Sequence, residues 1–156
     1  MDPIDGTANF LKQKRDYGIM LAYFQSGEPK LSYLYDINAD DLYHAMAGEG
    51  VFLNGKSIEK PLVKKLNTSL IAIDAQRTYK TAYFQYCANY AFDLRFMGST
   101  LADSIRVING NFGATINDSS DPWDRAPLIL FAKELGLVMT QFSGHPHSLL
   151  GEESYY

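Results

Sequence analysis

The sequence has a single cysteine, Cys87, among its 156 residues, so no disulfide can form within the chain. This scarcity is typical of a protein from a reducing compartment. Cys87 lies in the helix-like run YFQYCANY and is interpreted as a small buried apolar residue. No apolar run approaches the ~20 residues of a membrane-spanning helix, and no basic segment precedes an apolar stretch as in a secretory signal. These absences predict a cytoplasmic protein.

The sequence also lacks a large excess of either sign of charge. The 14 basic and 18 acidic side chains leave a net charge of −4. A general surface for nucleic acid or for an anionic membrane needs a positive field, so we expect neither partner. The hydrophobic content of 46% is ordinary for a globular protein, and the length suits roughly one domain.

The first half of the chain shows the period-two alternation of antiparallel strands. A strand over Tyr17–Phe24 is followed by a second in which Leu31, Tyr33, Tyr35 and Ile37 alternate with Ser32, Leu34 and Asp36. A third strand covers Leu42–Met46, and the pair Asn54-Gly55 indicates a further hairpin, because Asn-Gly favours a turn with positive φ.

The second half alternates between strands and helices. Short strands are predicted near 70–74, 94–97 and 112–116. Helices are predicted over 79–91, from an opening at Gly98-Ser99-Thr100 to a close at Gly110, and over 123–135, with Gly136 ending the last helix. A final strand is predicted over 137–142, before an irregular tail. The fold class is therefore α/β, a layered α+β sandwich: residues 1–66 form an antiparallel sheet half and residues 67–156 an α/β subdomain.

Carboxylates mark two short motifs. DPIDGT places Asp2 and Asp5 on either side of a proline, and PWDRAP places Asp124 at the start of a predicted helix. Each motif has a structural interpretation, because Asp-Gly pairs are common in turns and an Asp near a helix N-terminus stabilises the helix. The functional interpretation is a site that binds a cation.

Four segments together resemble the inositol monophosphatase family of magnesium-dependent, lithium-sensitive sugar-phosphate phosphatases. In order, they are DPIDGT, GEGVFLNGKSIE, GSTLADSIRVINGN and PWDRAPLILFAKELG. The resemblance implies a Mg²⁺-dependent hydrolase of a small phosphomonoester, in which divalent cations activate water and neutralise the leaving oxygen. The substrate it implies is a small phosphorylated sugar, inositol or nucleotide.

The resemblance also implies roles for individual residues. Asp2 would bridge two Mg²⁺ ions, the Ile4 carbonyl would hold the first ion, and Asp5 and Asp124 would hold the second. The amides of Gly6 and Thr7 would bind phosphate, and the Thr7 hydroxyl would orient the attacking water, so Asp5 and Thr7 are the expected catalytic residues.

Two further residues are expected to face the substrate. Ser99 follows the glycine before the ADSI helix, where the family contacts substrate hydroxyls. Asn117 stands seven residues before Asp124, where the family often has a glutamate that binds the sugar ring. This difference counts against a preference for myo-inositol.

Family members carry helices and further carboxylates before DPIDGT. We therefore expect this chain to be an N-terminally truncated form that lacks the family's N-terminal helices, with weak Mg²⁺ binding and activity below that of a full-length relative. The alternative is a non-catalytic binding or regulatory module, or an inactive fragment that keeps part of the fold. An apolar sheet face left exposed would favour a homodimer.

Overall fold

The computed structural model describes residues 1–74, 81–117 and 121–145. Its first layer is an antiparallel sheet with the strands in sequence order. The strands are β1 (Asp2–Asp5), β2 (Gly18–Gln25), β3 (Glu28–Asp36), β4 (Asp41–Met46), β5 (Gly50–Leu53) and β6 (Lys56–Ile58). Tight turns join β2 to β6 in succession, and the residues in positive φ at these turns include Gly27 and the pair Asn54-Gly55, the latter as the sequence predicts.

A second, parallel sheet has the order β8-β7-β9. Its strands are β7 (Leu70–Ile73), β8 (Asp93–Arg95) and β9 (Phe112–Ile116). The helices are α1 (Thr7–Lys12), α2 (Ala82–Tyr90), α3 (Thr100–Ile108) and α4 (Pro122–Leu135), and a 3₁₀ turn covers Leu66–Thr68. An antiparallel sheet followed by strand–helix alternation confirms the predicted α/β class.

The hydrophobic core lies between the first sheet and helices α3 and α4. Buried side chains from both halves of the chain form one cluster: Met20, Leu34, Tyr43, Ala45, Val51, Leu101, Ile105, Ile108, Leu130, Phe131 and Leu135. Glu134 of α4 accepts hydrogen bonds from the amides of Gly48 and Gly50, at 2.9 and 3.1 Å. Packing and these bonds hold α4 on the sheet. The division of the chain into residues 1–66 and 67–156 stays a prediction.

Three sequence expectations differ from the structure. Residues 137–142 form no strand: only Thr140 makes an isolated bridge, Leu137 packs against the core cluster and Val138 is 90% exposed. The motif DPIDGT contains strand β1 itself and leads straight into α1, a six-residue helix too short for its periodicity to show in the sequence. The helix predicted over 79–91 is observed as Ala82–Tyr90; Tyr79 and the tail from residue 146 lie outside the described residues.

Among the described residues, no helix is long and apolar enough to cross a membrane.

Gly18 of β2 allows β3 and α3 to approach that strand closely. A Cβ at this position would lie 2.1 Å from the Tyr35 carbonyl oxygen and 2.8 Å from Leu101 Cδ1. We predict that Gly18→Ala lowers the free energy of unfolding by about 1–3 kcal/mol or more, because the backbone oxygen cannot move aside without disturbing the ladder. Urea denaturation measures the change, and a variant as stable as the parent would contradict this account of the packing.

Asp103 of α3 makes stability depend on pH. Burial raises the pKa of its carboxyl to about 7; Arg106 opposes the shift, and Asp5, Asp74 and Asp16 add to it. Because the folded-state pKa lies above the unfolded value of about 3.9, the stability that this group contributes is present below pH ~4 and lost as pH rises through ~7.

We predict that Asp103→Asn, which cannot ionise, is more stable than the parent above pH ~7, by about 2–4 kcal/mol. The advantage should shrink towards pH ~4, where the parent's carboxyl is largely protonated in both states. Urea unfolding of both proteins across this range measures it. A difference that does not vary with pH would show that the Asp103 carboxyl is not desolvated.

Candidate metal centre

The motif DPIDGT folds into a compact corner between β1 and α1. The Ile4 amide donates to Asp2 Oδ1 at 3.0 Å, and the Thr7 hydroxyl donates to the Ile4 carbonyl at 3.1 Å. Gly6 takes the left-handed conformation with φ 76°. A Cβ on Gly6 would lie 3.0 Å from both the Asp16 carbonyl oxygen and Ser99 Cβ, so conformation and space both require glycine there.

Asp5, the last residue of β1, is buried and only 6% exposed. The Ser99 hydroxyl and the Leu101 amide both donate to its Oδ2, the latter at 2.9 Å. Burial raises the pKa of the Asp5 carboxyl, and the hydrogen bonds from Ser99 and Leu101 oppose that shift. Asp5 is therefore held at the N-terminus of α3, where backbone amides favour negative charge.

Asp124 lies in the first turn of α4, and its Oδ2 accepts a hydrogen bond from the Asp121 amide at 3.0 Å. The pKa of the Asp124 carboxyl is raised to about 6, chiefly by burial. The hydrogen bond from the Asp121 amide opposes this shift, and the charges of Asp5 and Asp2 add to it. Both sequence interpretations of Asp124 therefore apply: it stabilises a helix N-terminus and it faces other carboxylates.

The structure brings three of the predicted residues together. One carboxylate oxygen from each of Asp2, Asp5 and Asp124 lies within 4.8 Å of the others. Oxygen ligands at this spacing fit a hard cation such as Mg²⁺, which is usually bound by one or two carboxylates, with water and substrate phosphate completing its shell. The convergence expected from the sequence is present, and the role of each residue as a ligand stays a prediction.

The remaining predicted residues surround this cluster in sequence or through hydrogen bonds. Ile4, Gly6 and Thr7 belong to the same corner as Asp2 and Asp5. Ser99 is buried, and its hydroxyl also accepts from the Ala102 amide at 3.1 Å. Asn117 donates to the Thr100 hydroxyl at 3.3 Å, which places its amide beside the start of α3.

Sequence reasoning missed the link between Ser99 and Asp5. The pattern Gly-Ser-Thr before an apolar run marks Ser99 as a helix N-cap, but the pattern carries no information on a partner 94 positions away. The contacts of Leu101 and Thr100 were missed for the same reason.

Comparisons with known proteins agree with this geometry. The sequence matches the inositol monophosphatase family over residues 1–155. It is 30% identical to the inositol-1-monophosphatase of Bacillus subtilis (strain 168), over 99% of this chain and 60% of that protein. It is 28% identical to the Nus factor SuhB of Escherichia coli (strain K12), over 97% of this chain and 59% of that protein.

The fold is similar to a crystal structure of an IMPase/NADP phosphatase complexed with Mg²⁺ and phosphate. The TM-score is 0.90 and the identity 45%, over 96% of this chain and 57% of that one. The chain thus spans just under three fifths of the solved structure and no more than three fifths of the curated relatives. A match over nearly every residue, together with this structural likeness, establishes that the chain belongs to the inositol monophosphatase family.

Proposed function

We propose that the protein to which these residues belong is a Mg²⁺-dependent phosphatase that hydrolyses a small sugar or inositol phosphomonoester. The observation that carries the proposal is the convergence of Asp2, Asp5 and Asp124 within 4.8 Å. Because the chain spans only part of its relatives' length, activity and substrate are proposed for the whole protein.

The chain's own residues have distinct tasks in this proposal. Asp2 would contact both Mg²⁺ ions, the Ile4 carbonyl would hold the first, and Asp5 and Asp124 would hold the second. When bound, the cations would lower the pKa of a coordinated water and stabilise the negative charge on the leaving oxygen. The amides of Gly6 and Thr7 bind the phosphate.

Thr7 orients the water that attacks phosphorus. Its hydroxyl donates to the Ile4 carbonyl, so the hydrogen is already committed and the oxygen is left to accept a hydrogen bond. A water bound there as a donor would point a lone pair away from Thr7. This hydrogen bond supports the proposed role of Thr7, because it leaves the hydroxyl oxygen free to accept from a water beside the carboxylates.

The substrate class follows from the relatives and from Asn117. Proteins similar to this chain are named as inositol and NADP phosphatases, which supports a small phosphorylated sugar, inositol or nucleotide. Ser99 and Asn117 lie at the start of α3, and Asn117 offers an amide where the resemblance leads one to expect a carboxylate. An amide can both donate to and accept from sugar hydroxyls.

We place the protein in the cytoplasm because its sequence contains a single cysteine.

A non-catalytic binding or regulatory module is the second candidate. The observation that favours it is the 28% identity to a relative named as a Nus factor. Such a module would keep the fold and the carboxylate cluster without turnover. Mg²⁺ binding in the absence of hydrolysis of any small phosphomonoester would support the module over the enzyme.

We predict that Asp124→Asn weakens Mg²⁺ binding by about ten-fold or more, since loss even of an outer partner of a metal ligand typically costs about 10–100-fold. Isothermal titration of Mg²⁺ into the parent and the variant measures the change. Release of inorganic phosphate from inositol phosphate, a sugar phosphate and NADP, with and without Mg²⁺, tests for turnover and substrate class.

The matched control is Asp93→Asn, which removes the same charge from an exposed residue at the start of β8, where Asp93 pairs with Arg95. It should leave Mg²⁺ binding unchanged. Equal weakening by both variants would reduce the effect to net charge, and unaltered binding in Asp124→Asn would remove Asp124 from the site.

The proposed assembly is a homodimer formed through the outer face of the first sheet. Strand register and alternation place apolar residues in cross-strand rows on the face opposite the core, among them Tyr23, Leu31 and Met46. Tyr23 is 54% exposed. On the same face, His44 stacks on Phe52 with ring centroids 4.9 Å apart. A contiguous apolar face of this kind typically marks an interaction surface.

We predict that the parent protein sediments as a dimer and that Tyr23→Lys shifts it to the monomer, because a charge would be buried at the centre of the interface. Val63→Lys places the same charge at an exposed apolar residue outside the strands and should leave the dimer intact. A monomeric parent at high concentration would contradict the proposal.

A further inference from the structure

In each of the three clustered carboxylates, a backbone amide holds one oxygen. The Ile4 amide donates to Asp2 Oδ1 at 3.0 Å, the Leu101 amide to Asp5 Oδ2 at 2.9 Å, and the Asp121 amide to Asp124 Oδ2 at 3.0 Å. A hydrogen bond of this kind orients the carboxyl group and occupies lone-pair space on that oxygen. The other oxygen, which carries no such bond, is the more open of the two to a cation.

Asp5 is the most strongly held of the three. The Ser99 hydroxyl donates to the same Oδ2 that the Leu101 amide contacts, and both bonds are buried. Ser99 is itself fixed, because its oxygen accepts from the Ala102 amide at 3.1 Å as the N-cap of α3. With two donors on Oδ2, rotation of the carboxyl group is opposed from both the side chain and the backbone of α3.

The number of oxygens that each carboxylate offers affects which cation fits. Mg²⁺ needs near-octahedral coordination, and it is usually bound by one or two carboxylates and keeps several waters. Ca²⁺ is larger, takes 6–8 oxygens, and accepts carboxylates with both oxygens at once. A site whose carboxylates each present one oxygen suits Mg²⁺ and deprives Ca²⁺ of the extra ligands.

We propose that Ser99 is a positioning residue that keeps Asp5 a one-oxygen ligand and thereby favours Mg²⁺ over Ca²⁺ at this site. The inference rests on the proposed function for the existence of the cation site, and it adds a determinant of cation choice. The role differs from the substrate contact expected of Ser99, since here the hydroxyl acts through Asp5.

Trp123 provides a spectroscopic readout that does not require activity. It is the single tryptophan of the chain, it is half-exposed, and it precedes Asp124 directly. Tb³⁺ bound at the cluster should therefore luminesce when the tryptophan is excited. Competition of Mg²⁺ and of Ca²⁺ against bound Tb³⁺ then gives the ratio of their dissociation constants for each variant.

Three variants separate positioning from helix capping. Ser99→Ala removes the hydroxyl, and Ser99→Thr keeps it. Thr81→Ala removes the corresponding cap of α2, where Thr81 accepts from the Phe84 amide. Circular dichroism and thermal unfolding establish that each variant is folded at the temperature of the titration.

The expected result is that Ser99→Ala weakens Mg²⁺ binding by about 10–100-fold and weakens Ca²⁺ binding less, so that the preference for Mg²⁺ falls. Ser99→Thr should restore the parent ratio, and Thr81→Ala should not change it. A Ser99→Ala variant that is folded and keeps the parent ratio would overturn the inference while leaving the cation site intact. If Ser99→Ala does not fold, Ser99→Thr decides the question. A folded Ser99→Thr variant whose ratio of Mg²⁺ to Ca²⁺ dissociation constants differs from that of the parent would also overturn the inference. A parent that never binds Tb³⁺, Mg²⁺ or Ca²⁺ would instead overturn the proposed function.

Discussion

A buried carboxylate joins the two halves of this protein. Asp5 ends the edge strand of the antiparallel sheet, and its charge lies where burial disfavours it. Donors from the start of α3 offset part of that cost, through Ser99 and the Leu101 amide. Helix α3 must therefore begin within hydrogen-bonding reach of β1, and the glycines at 6 and 18 make that approach possible. The position of one acidic side chain thus constrains a strand, a helix and the turn between β1 and α1.

The same constraint explains why the cluster is electrostatically unfavourable without a cation. Asp2 and Asp5 both raise the pKa of Asp124, and Asp2 raises that of Asp5. Hydrogen bonds from backbone amides reduce the cost for each acid but cannot cancel the repulsion among three. A divalent cation would remove it, because opposite charge favours the ionised form of every carboxylate nearby. Cation binding at this cluster would therefore be coupled to the fold, since the residues that would hold the ion also connect the halves of the chain.

Local sequence patterns predict much of the fold. They do not predict interactions between residues far apart in the sequence, or elements that are only a few residues long. The meander of β2 to β5 follows from alternation and from turn residues such as Asn54-Gly55, and Gly136 ends α4 as expected. The apolar residues at 137–139 also favour a strand, yet residues 137–142 form none, although Leu137 packs against the core. A local apolar run does not reveal whether a partner strand exists. The convergence of Asp2, Asp5 and Asp124 was available only through resemblance to a family, because nothing local connects positions 5 and 124. The bond between Ser99 and Asp5 was available from neither source.

Asp124 shows why a structural and a functional interpretation of one residue need not compete. An aspartate has two oxygens, and at the N-terminus of α4 one of them accepts from the Asp121 amide while the carboxyl group also faces Asp2 and Asp5. The helix terminus reduces the cost of the charge, and the fixed oxygen determines where the other can point. Asp5 has the same relation to α3, and Asp2 a similar one to the Ile4 amide. Helix termini and one strand corner therefore supply both the stability of these carboxylates and their orientation, so a change made to alter a helix cap in this region will also alter the site.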